Sequence, residues 1–103
     1  MEKEVPVHNI PDKVFIGGHE CGLRFVHVVD DDDSCGEADC TTNIIKIKIG
    51  MPDSRMRETT IHEILHLAEP SLEETQIVFL SRTLLQLCKD NPFLKDLLFP
   101  PAS

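Results

Sequence analysis

The first half of the chain shows the two-residue alternation of β-strands, and the second half shows the periodicity of helices. Two runs rich in β-branched and aromatic residues, KVFIGG and GLRFVHVV, flank a glycine-containing polar stretch. They predict a β-hairpin over residues 13–29, with the glycine pair and the following His-Glu pair in the turn. Further on, NIIKIKIG alternates Ile45, Ile47 and Ile49 with two lysines. This alternation predicts a strand with one buried and one solvated face.

An acidic segment, DDDDSCGEADCTT, covers residues 30–42 with six carboxylates and one glycine. Its composition predicts a loop, or a loop that continues into an edge strand. It is not a calcium-binding loop of the EF-hand kind. Counted from Asp31, the spacing places Cys35 at the fifth ligand position and Thr42 where a bidentate glutamate is required.

A helix is predicted after Pro52, because Asp53 or Ser54 can cap a segment that continues through RMRETTIHEILHLAE. Pro70 prevents this helix from extending further. Its apolar residues recur at helical spacing and should face the core. They are Ile61, Ile64, Leu65 and Ala68.

A second helix is predicted directly after Pro70. Ser71 and Glu74 have the spacing of a capping box, and the helical pattern continues through LEETQIVFLSRTLLQLCKDN until Pro92. The tail, residues 93–103, is apolar and then proline-rich, so it is expected to form a short helix that packs back and then frays. The short link makes the two main helices antiparallel neighbours.

These elements predict an α+β fold, in which a small, mostly antiparallel sheet packs on the first helix and an antiparallel helix follows. A chain of 103 residues suits one domain, 1–103, with an N-terminal arm over residues 1–12. The formal charge of −8 disfavours nucleic acid and anionic membranes as partners. There is neither an apolar run of about 18 residues nor the pattern of a signal peptide, so a cytoplasmic location is expected.

Four cysteines, Cys21, Cys35, Cys40 and Cys88, are expected to be reduced thiols in that compartment. Two alternatives are two disulfides, or a structural zinc site made by Cys35 and Cys40 with Cys21 and His19. The C-x4-C spacing lies at the loose end of the range for zinc ligands, and a second closely spaced pair is missing.

The motif HEILH, residues 62–66, carries the candidate chemistry. Residues four apart lie one turn apart on the same helix face, so His62 and His66 can direct two imidazole nitrogens at one zinc ion. Glu63 falls at the flank of that face, where a carboxylate can act as general base toward a metal-activated water. The competing interpretation is an ordinary amphipathic helix with two surface or core-edge histidines.

A catalytic zinc needs a third protein ligand and an open position. Glu74 is the leading candidate, because an antiparallel second helix would bring residues 74–77 to the level of the histidines, and the small Ser81 on the same face would allow close helix packing. Glu73 is the alternative, since it heads an apolar stripe of leucines and isoleucine at helical spacing. The capping box offers Glu74 a purely structural role.

Other parts of such a site stay open at the level of sequence. Glu58, Glu69 or a loop aspartate could support a ligating histidine. Because the chain has no tyrosine, the candidates for stabilising an oxyanion are His8, His19, His27, Arg24 and Arg55. If the isoleucine-rich strand is an exposed edge beside the zinc, it could pair with an extended peptide. Carboxylates of GEADC at the mouth of the cleft would then give a weak preference for basic substrates.

In chain order, FIGG, GEAD leading into IIKIKI, ETTIHEILHL and EETQIVFLSRTLLQLCKDNP resemble the small HExxH proteins of bacteriophages and prophages. The likeness runs from Val14 to Pro92. Those proteins are similar to minimal zincins of the gluzincin kind, with the layout of ImmA/IrrE-type metallopeptidases. The resemblance implies a small sheet on a motif helix, with a second helix that carries a glutamate. It implies no particular substrate.

By position, the resemblance makes His62 and His66 zinc ligands and Glu63 the general base. Its second-helix pattern falls on Glu74, Ile77, Leu80 and Ser81. This chain departs from the pattern in having Cys21 and Cys40 where similar proteins have tyrosine. Its link between the motif helix and the glutamate is also unusually short.

The resulting hypothesis is a zinc-dependent peptidase that acts on a peptide or protein in the cytoplasm, which is the host cytoplasm if a phage encodes it. The alternative is a zinc-containing, catalytically silent module that binds a host or phage protein. A metal-free structural protein is the third possibility.

Overall fold

The computed structural model describes residues 12–27 and 35–100. In chain order the elements are β1 (Lys13–Ile16), β2 (His19–Val26), β3 (Gly36–Asp39), β4 (Ile44–Lys48), α1 (Asp53–Ala68), α2 (Glu74–Asp90) and α3 (Phe93–Leu98). One four-stranded sheet packs against α1, and α1 packs against α2. The predicted α+β class is therefore confirmed. The predicted N-terminal arm up to residue 11 lies outside the described residues.

The predicted hairpin is present as the antiparallel pair β1–β2. Its turn consists of Gly17 and Gly18 alone, with φ of 57° and 83°, a region that glycine adopts without steric cost. His19 and Glu20, which were expected in the turn, belong to β2 and pair with Ile16 and Phe15. The end of the hairpin predicted for residues 28 and 29 falls outside the described residues.

The sheet order is β1-β2-β4-β3, with a parallel pair β2–β4 between two antiparallel pairs. The condition under which the isoleucine-rich strand could pair with a peptide, an exposed edge, is not met, because β4 is hydrogen-bonded on both sides. Ile45 and Ile47 are fully buried. The edge strand is β3, which forms from the GEAD part of the acidic segment, as one of the two interpretations of that segment anticipated.

The core lies between the sheet and α1. Leu23 and Phe25 of β2 and Ile45 and Ile47 of β4 form its centre. Burying an isoleucine side chain of this kind stabilises a fold by roughly 1.5–3 kcal/mol relative to exposure. The side chains of α1 that pack on this centre are Met56, Ile64 and Leu67.

The predicted apolar face of α1 is correct for Ile64 and wrong for Ala68, which is exposed. Ile61 and Leu65 are half-buried. The helix is rotated so that its single buried residue is charged: Glu63 is 8% exposed. The pattern of apolar residues thus predicted approximately which side of α1 packs on the sheet, but not the exact rotation of the helix about its axis.

Both predicted helix caps differ from the structure. Pro52 occupies the N-cap of α1 in an extended conformation, so Asp53 is already the first helical residue and no side chain caps this end. At α2 the capping-box pair is Glu73 and Gln76, and the Glu73 backbone N–H donates to Gln76 Oε1 at 2.8 Å. Ser71, expected in the box, instead donates from Oγ to Glu69 Oε1 at 2.7 Å.

Helix α2 contacts α1 through its Ile77 and Ser81 face, and both residues are fully buried. The Ser81 hydroxyl donates to the Ile77 carbonyl oxygen at 2.7 Å, so its polar group is satisfied within the helix. Only part of the predicted apolar stripe is buried: Ile77 is in the interface and Leu80 is half-buried, whereas Leu84 and Leu87 are 44% and 39% exposed. Glu74, which precedes Ile77 by three residues and Ser81 by seven, lies on the face toward α1.

The C-terminal tail forms the short helix α3, as predicted, with Leu94 half-buried, but it leaves Phe93, Leu97 and Leu98 exposed. Among the described residues, every helix is too short or too polar to cross a membrane. The four cysteines are free thiols, with Cys21 buried, Cys35 half-buried, and Cys40 and Cys88 exposed.

Candidate metal centre

His62 and His66 lie one turn apart on α1, with ring centroids 4.9 Å apart and ring planes at 62°. Both Nε2 atoms face the same carboxylate of α2. His62 Nε2 is 2.6 Å from Glu74 Oε1, and His66 Nε2 is 3.1 Å from Glu74 Oε2. The structure therefore brings together the three residues proposed as ligands from the sequence.

The position of Glu74 follows from where α2 begins. Because Glu73 is the N-cap, its side chain lies at the helix end and outside the group formed by the two histidines and Glu74. Glu74 is the first helical residue, with no capping role, and the short link after α1 places it directly opposite the histidines. The alternative third ligand, Glu73, is thus not part of the cluster.

The donor atoms of the cluster fit a divalent cation. They all lie within 4.8 Å of one another. Tetrahedral ligands about 2.0–2.2 Å from a zinc ion lie roughly 3.3–3.6 Å apart. The Glu74 oxygens, 2.6 and 3.1 Å from the two Nε2 atoms, would therefore move slightly away from the histidines to admit an ion. Two imidazoles and one carboxylate also form one of the ligand sets found in catalytic zinc sites, and they leave a coordination position open. In the described residues, the alternative site built from Cys35, Cys40, Cys21 and His19 is not assembled.

No match is found among protein-family models, curated proteins or solved structures. The interpretation of the site therefore rests on its own geometry, and the likeness to phage-encoded HExxH proteins stays an expectation.

Glu63 lies beside the cluster in the wall of the same cleft. Burial of its side chain raises the pKa of the carboxyl above its ordinary value. His66 acts in the opposite direction, while the nearby carboxylates of Glu74 and Glu37 raise the pKa further. A buried carboxylate with a raised pKa is better matched to proton transfer near neutral pH than an exposed one.

We expect the metal-free protein to lose stability as the pH rises through the raised pKa of Glu63. The folded state binds this proton more tightly than the unfolded state, so the contribution is complete below the ordinary value of 4.5 and is lost above the folded pKa. Glu63→Gln has no charge to desolvate and should be more stable than wild type near neutral pH, by on the order of 1 kcal/mol. Urea denaturation in the presence of a chelator, from below pH 4.5 to above neutral pH, measures the difference in the free energy of unfolding between the two proteins.

Glu69→Gln is the control of opposite sign. Hydrogen bonds from the Ser71 side chain and backbone lower the pKa of Glu69, so its charged form stabilises the fold near neutral pH. A difference between wild type and Glu63→Gln that stays constant with pH would contradict the assignment of a raised pKa to Glu63.

Gly36 of β3 allows α1 to approach the edge of the sheet. A Cβ at this position would lie 2.9 Å from Thr59 Cγ2, 3.0 Å from Glu63 Cγ and 3.2 Å from the Lys46 carbonyl oxygen. Ordinary van der Waals contact begins at a greater distance, so α1 and its Glu63 side chain would have to shift. The absence of a side chain at Gly36 therefore sets the position of Glu63.

We predict that Gly36→Ala destabilises the protein by roughly 1–3 kcal/mol, because overpacking outweighs the lower entropy of the unfolded chain. Thermal denaturation should show this as a lower Tm. Thr59→Ser removes the closest atom, Cγ2, so the double variant should regain part of the loss. Strictly additive effects in this cycle would show that the contact with Thr59 is not the cause.

The cleft around the cluster has a volume of about 670 Å³. Of the oxyanion candidates, Arg55 lines it. His19 and His27 are exposed and do not line it, Arg24 donates to the Asp12 carbonyl oxygen, and His8 lies outside the described residues. Arg82 of α2 also lines the cleft and was not among the sequence candidates. The signal that could have found it is spacing, since it follows Glu74 by eight residues and so lies close to the same helix face.

The residues considered as supports for the histidines have other partners. Glu58 accepts a hydrogen bond from Arg82 Nε at 2.7 Å, and Glu69 accepts from Ser71. Glu37 and Asp39, the carboxylates of GEADC, line a separate cavity of about 150 Å³ rather than the cleft. These carboxylates therefore do not line the cleft itself, and the preference for basic substrates stays a prediction.

Proposed function

We propose that this protein is a zinc-dependent hydrolase of the metallopeptidase type. The observation that carries the proposal is the convergence of His62, His66 and Glu74 donor atoms within 4.8 Å, beside a buried Glu63 in one cleft. Zinc is favoured over magnesium or calcium because two of the three donors are imidazole nitrogens.

In this proposal each residue of the cleft has a distinct role. His62, His66 and Glu74 would hold the ion, and a bound zinc supplies Lewis acidity and lowers the pKa of water to about 7. Glu63 accepts the proton of the attacking water and returns it to the leaving amine, which its raised pKa favours. The products are a carboxylate and an amine, so the reaction is hydrolysis of a peptide bond.

A peptide substrate suits the surroundings of the cluster. Among the described residues, the edge strand β3 pairs with β4 on one side only, and an extended peptide could hydrogen-bond along its other side. Gly36 belongs both to this strand and to the wall of the cleft. A peptide added along β3 would therefore pass beside Glu63 and the ligand cluster.

A degenerate peptide library tests the proposal. The zinc-loaded protein should generate new termini that mass spectrometry detects, the chelated protein should generate none, and added zinc should restore them. Persistence of cleavage in excess chelator would contradict a metal-dependent mechanism.

A second candidate function is a zinc-containing module that binds a protein or peptide without cutting it. It is favoured by the exposure of the site: the Glu74 side chain is 63% exposed, and electrostatic stabilisation of a transition state is weaker in a solvated site than in a closed one. The same library separates the two functions, since a silent module would retain peptides on zinc-loaded protein without producing new termini.

A further inference from the structure

Two arginines lie at one end of the cleft, away from the ligand cluster. Arg55 precedes His62 by seven residues on α1, and Arg82 follows Glu74 by eight residues on α2. At about 1.5 Å per residue, the Arg55 Cα lies roughly 10 Å from that of His62 and the Arg82 Cα roughly 12 Å from that of Glu74 along the helix axes. The Arg82 guanidinium reaches back to Glu58, whose Cα is roughly 6 Å from that of His62 along α1. The Arg82–Glu58 ion pair joins the two helices at this end, so both arginines lie on the same side of the cluster. We call Arg55 and Arg82 the arginine pair.

The charged residues that line this end of the cleft are the arginine pair and Glu58, while Glu63 and Glu74 lie at the ligand cluster. The arginine pair contributes two charges and Glu58 neutralises one, so the three groups sum to +1. Arg82 donates from Nε to Glu58, which occupies one of the five N–H donors of its guanidinium. Its side chain is 71% exposed, and Arg55 is exposed as well. Donors for a further carboxylate are thus accessible within the cleft.

We propose that the arginine pair binds a carboxylate of the peptide two or three residues away from the bond presented to the cluster. An extended peptide advances by about 3.3 Å per residue, so a span of roughly 6–10 Å corresponds to two or three residues. Guanidinium groups recognise carboxylates through paired N–H donors, which gives geometric selectivity as well as charge attraction. The carboxylate can belong to an acidic side chain or to the C terminus of a short peptide.

This inference rests on the proposed function and names its substrate class: peptides with a carboxylate at a fixed distance from the scissile bond. It also reverses the expectation of basic substrates, because arginines line the cleft whereas Glu37 and Asp39 line the other cavity. The alternative is that the arginine pair is an ordinary solvated surface that binds no particular ligand. An exposed arginine outside the cleft serves as the control that distinguishes the two. Arg57 is exposed on α1 and does not line the cleft.

Peptide hydroxamates provide the test, because the hydroxamate binds zinc and fixes the register of the attached chain. In the first series, labelled alanine-based peptides carry one Asp at successive distances from the hydroxamate, on its N-terminal or its C-terminal side. Matched peptides with Asn in place of Asp are the neutral controls. In a further series, the C terminus lies at those distances and is either free or amidated. Affinity for the zinc-loaded protein is measured by fluorescence anisotropy.

We expect an Asp or free-terminus peptide to bind about tenfold more tightly than its neutral partner when the carboxylate is about two or three residues away. Arg55→Gln and Arg82→Gln should each reduce this preference, and added salt should weaken it, whereas Arg57→Gln should leave it unchanged. The side-chain and terminal arms show which source of carboxylate is preferred. An exposed ion pair contributes little to folding, so Arg82→Gln is expected to stay folded.

The outcomes separate this inference from the function on which it rests. Hydroxamates that bind with no preference for a carboxylate, or with a preference that Arg57→Gln removes equally, would overturn the role of the arginine pair and leave the metal site standing. Failure of every hydroxamate to bind zinc-loaded protein would overturn both. An arginine-dependent preference without any cleavage of peptides would support the arginine pair and count against the hydrolase.

Discussion

Replacing Glu63 with glutamine is expected to reduce peptide hydrolysis by about 10²–10⁴-fold while zinc remains bound. Glutamine has nearly the shape of glutamate, so it fills the same buried position under Gly36, but it cannot accept the proton of the attacking water. The rate should be measured on a peptide that the library identifies as a substrate, and zinc content should be measured on the same protein sample.

Two further observations make this test specific. Glu69→Gln, which changes the exposed carboxylate at the C-cap of the same helix, should retain full activity. The metal-free Glu63→Gln protein should also be more stable than wild type near neutral pH, so lost activity cannot be attributed to unfolding. Hydrolysis at the wild-type rate by zinc-loaded Glu63→Gln would show that Glu63 is not the base.

Glu74→Ala and Glu73→Ala are expected to differ sharply in zinc affinity although the residues are adjacent. Loss of an outer-shell partner typically weakens metal binding by about 10–100-fold, so loss of a direct ligand should weaken it by more than about 100-fold. Glu74 lies between the two histidines, whereas Glu73 is the N-cap of α2. Glu73→Ala should therefore bind zinc normally and lose at most about 1 kcal/mol of stability.

Competition with a chromophoric chelator measures these affinities, and His66→Ala provides the reference for a lost ligand. Because zinc would join α1 to α2, its removal from the wild type should also lower Tm, and the Tm of Glu74→Ala should not respond to zinc. Normal zinc binding by Glu74→Ala, together with loss of zinc binding by Glu73→Ala, would show that Glu73 and not Glu74 is the third ligand.

The elements predicted from alternation and helical periodicity are present in the structure. The hairpin, the isoleucine-rich strand and both main helices were predicted because alternation and helical periodicity are properties of neighbouring residues. The histidine pair was predicted for the same reason, since residues four apart on a helix share a face. Errors began at the ends of elements, where Pro52 and Glu73 took N-cap positions that the sequence pattern gave to other residues.

Strand order could not be read from the sequence. The alternation in β4 indicated one apolar face, but it could not show that β2 pairs with β4 in parallel and that β3 forms the edge. Pairing of this kind depends on contacts between residues far apart in the chain, and the same pattern of residues is compatible with several sheet orders. The separation of Glu37 and Asp39 from the cleft has the same origin.

The sequence by itself determined that two imidazoles and a glutamate would lie along one helix of a small α+β domain, because a helix fixes the positions of residues within two turns. Only the tertiary structure decided that Glu74 completes the cluster, that Glu63 is buried against Gly36 and that Arg82 joins Arg55 in the cleft. Each of these depends on the rotation and distance of one packed element relative to another. Those quantities follow from the fit of side chains across an interface, which the local pattern of residues does not specify.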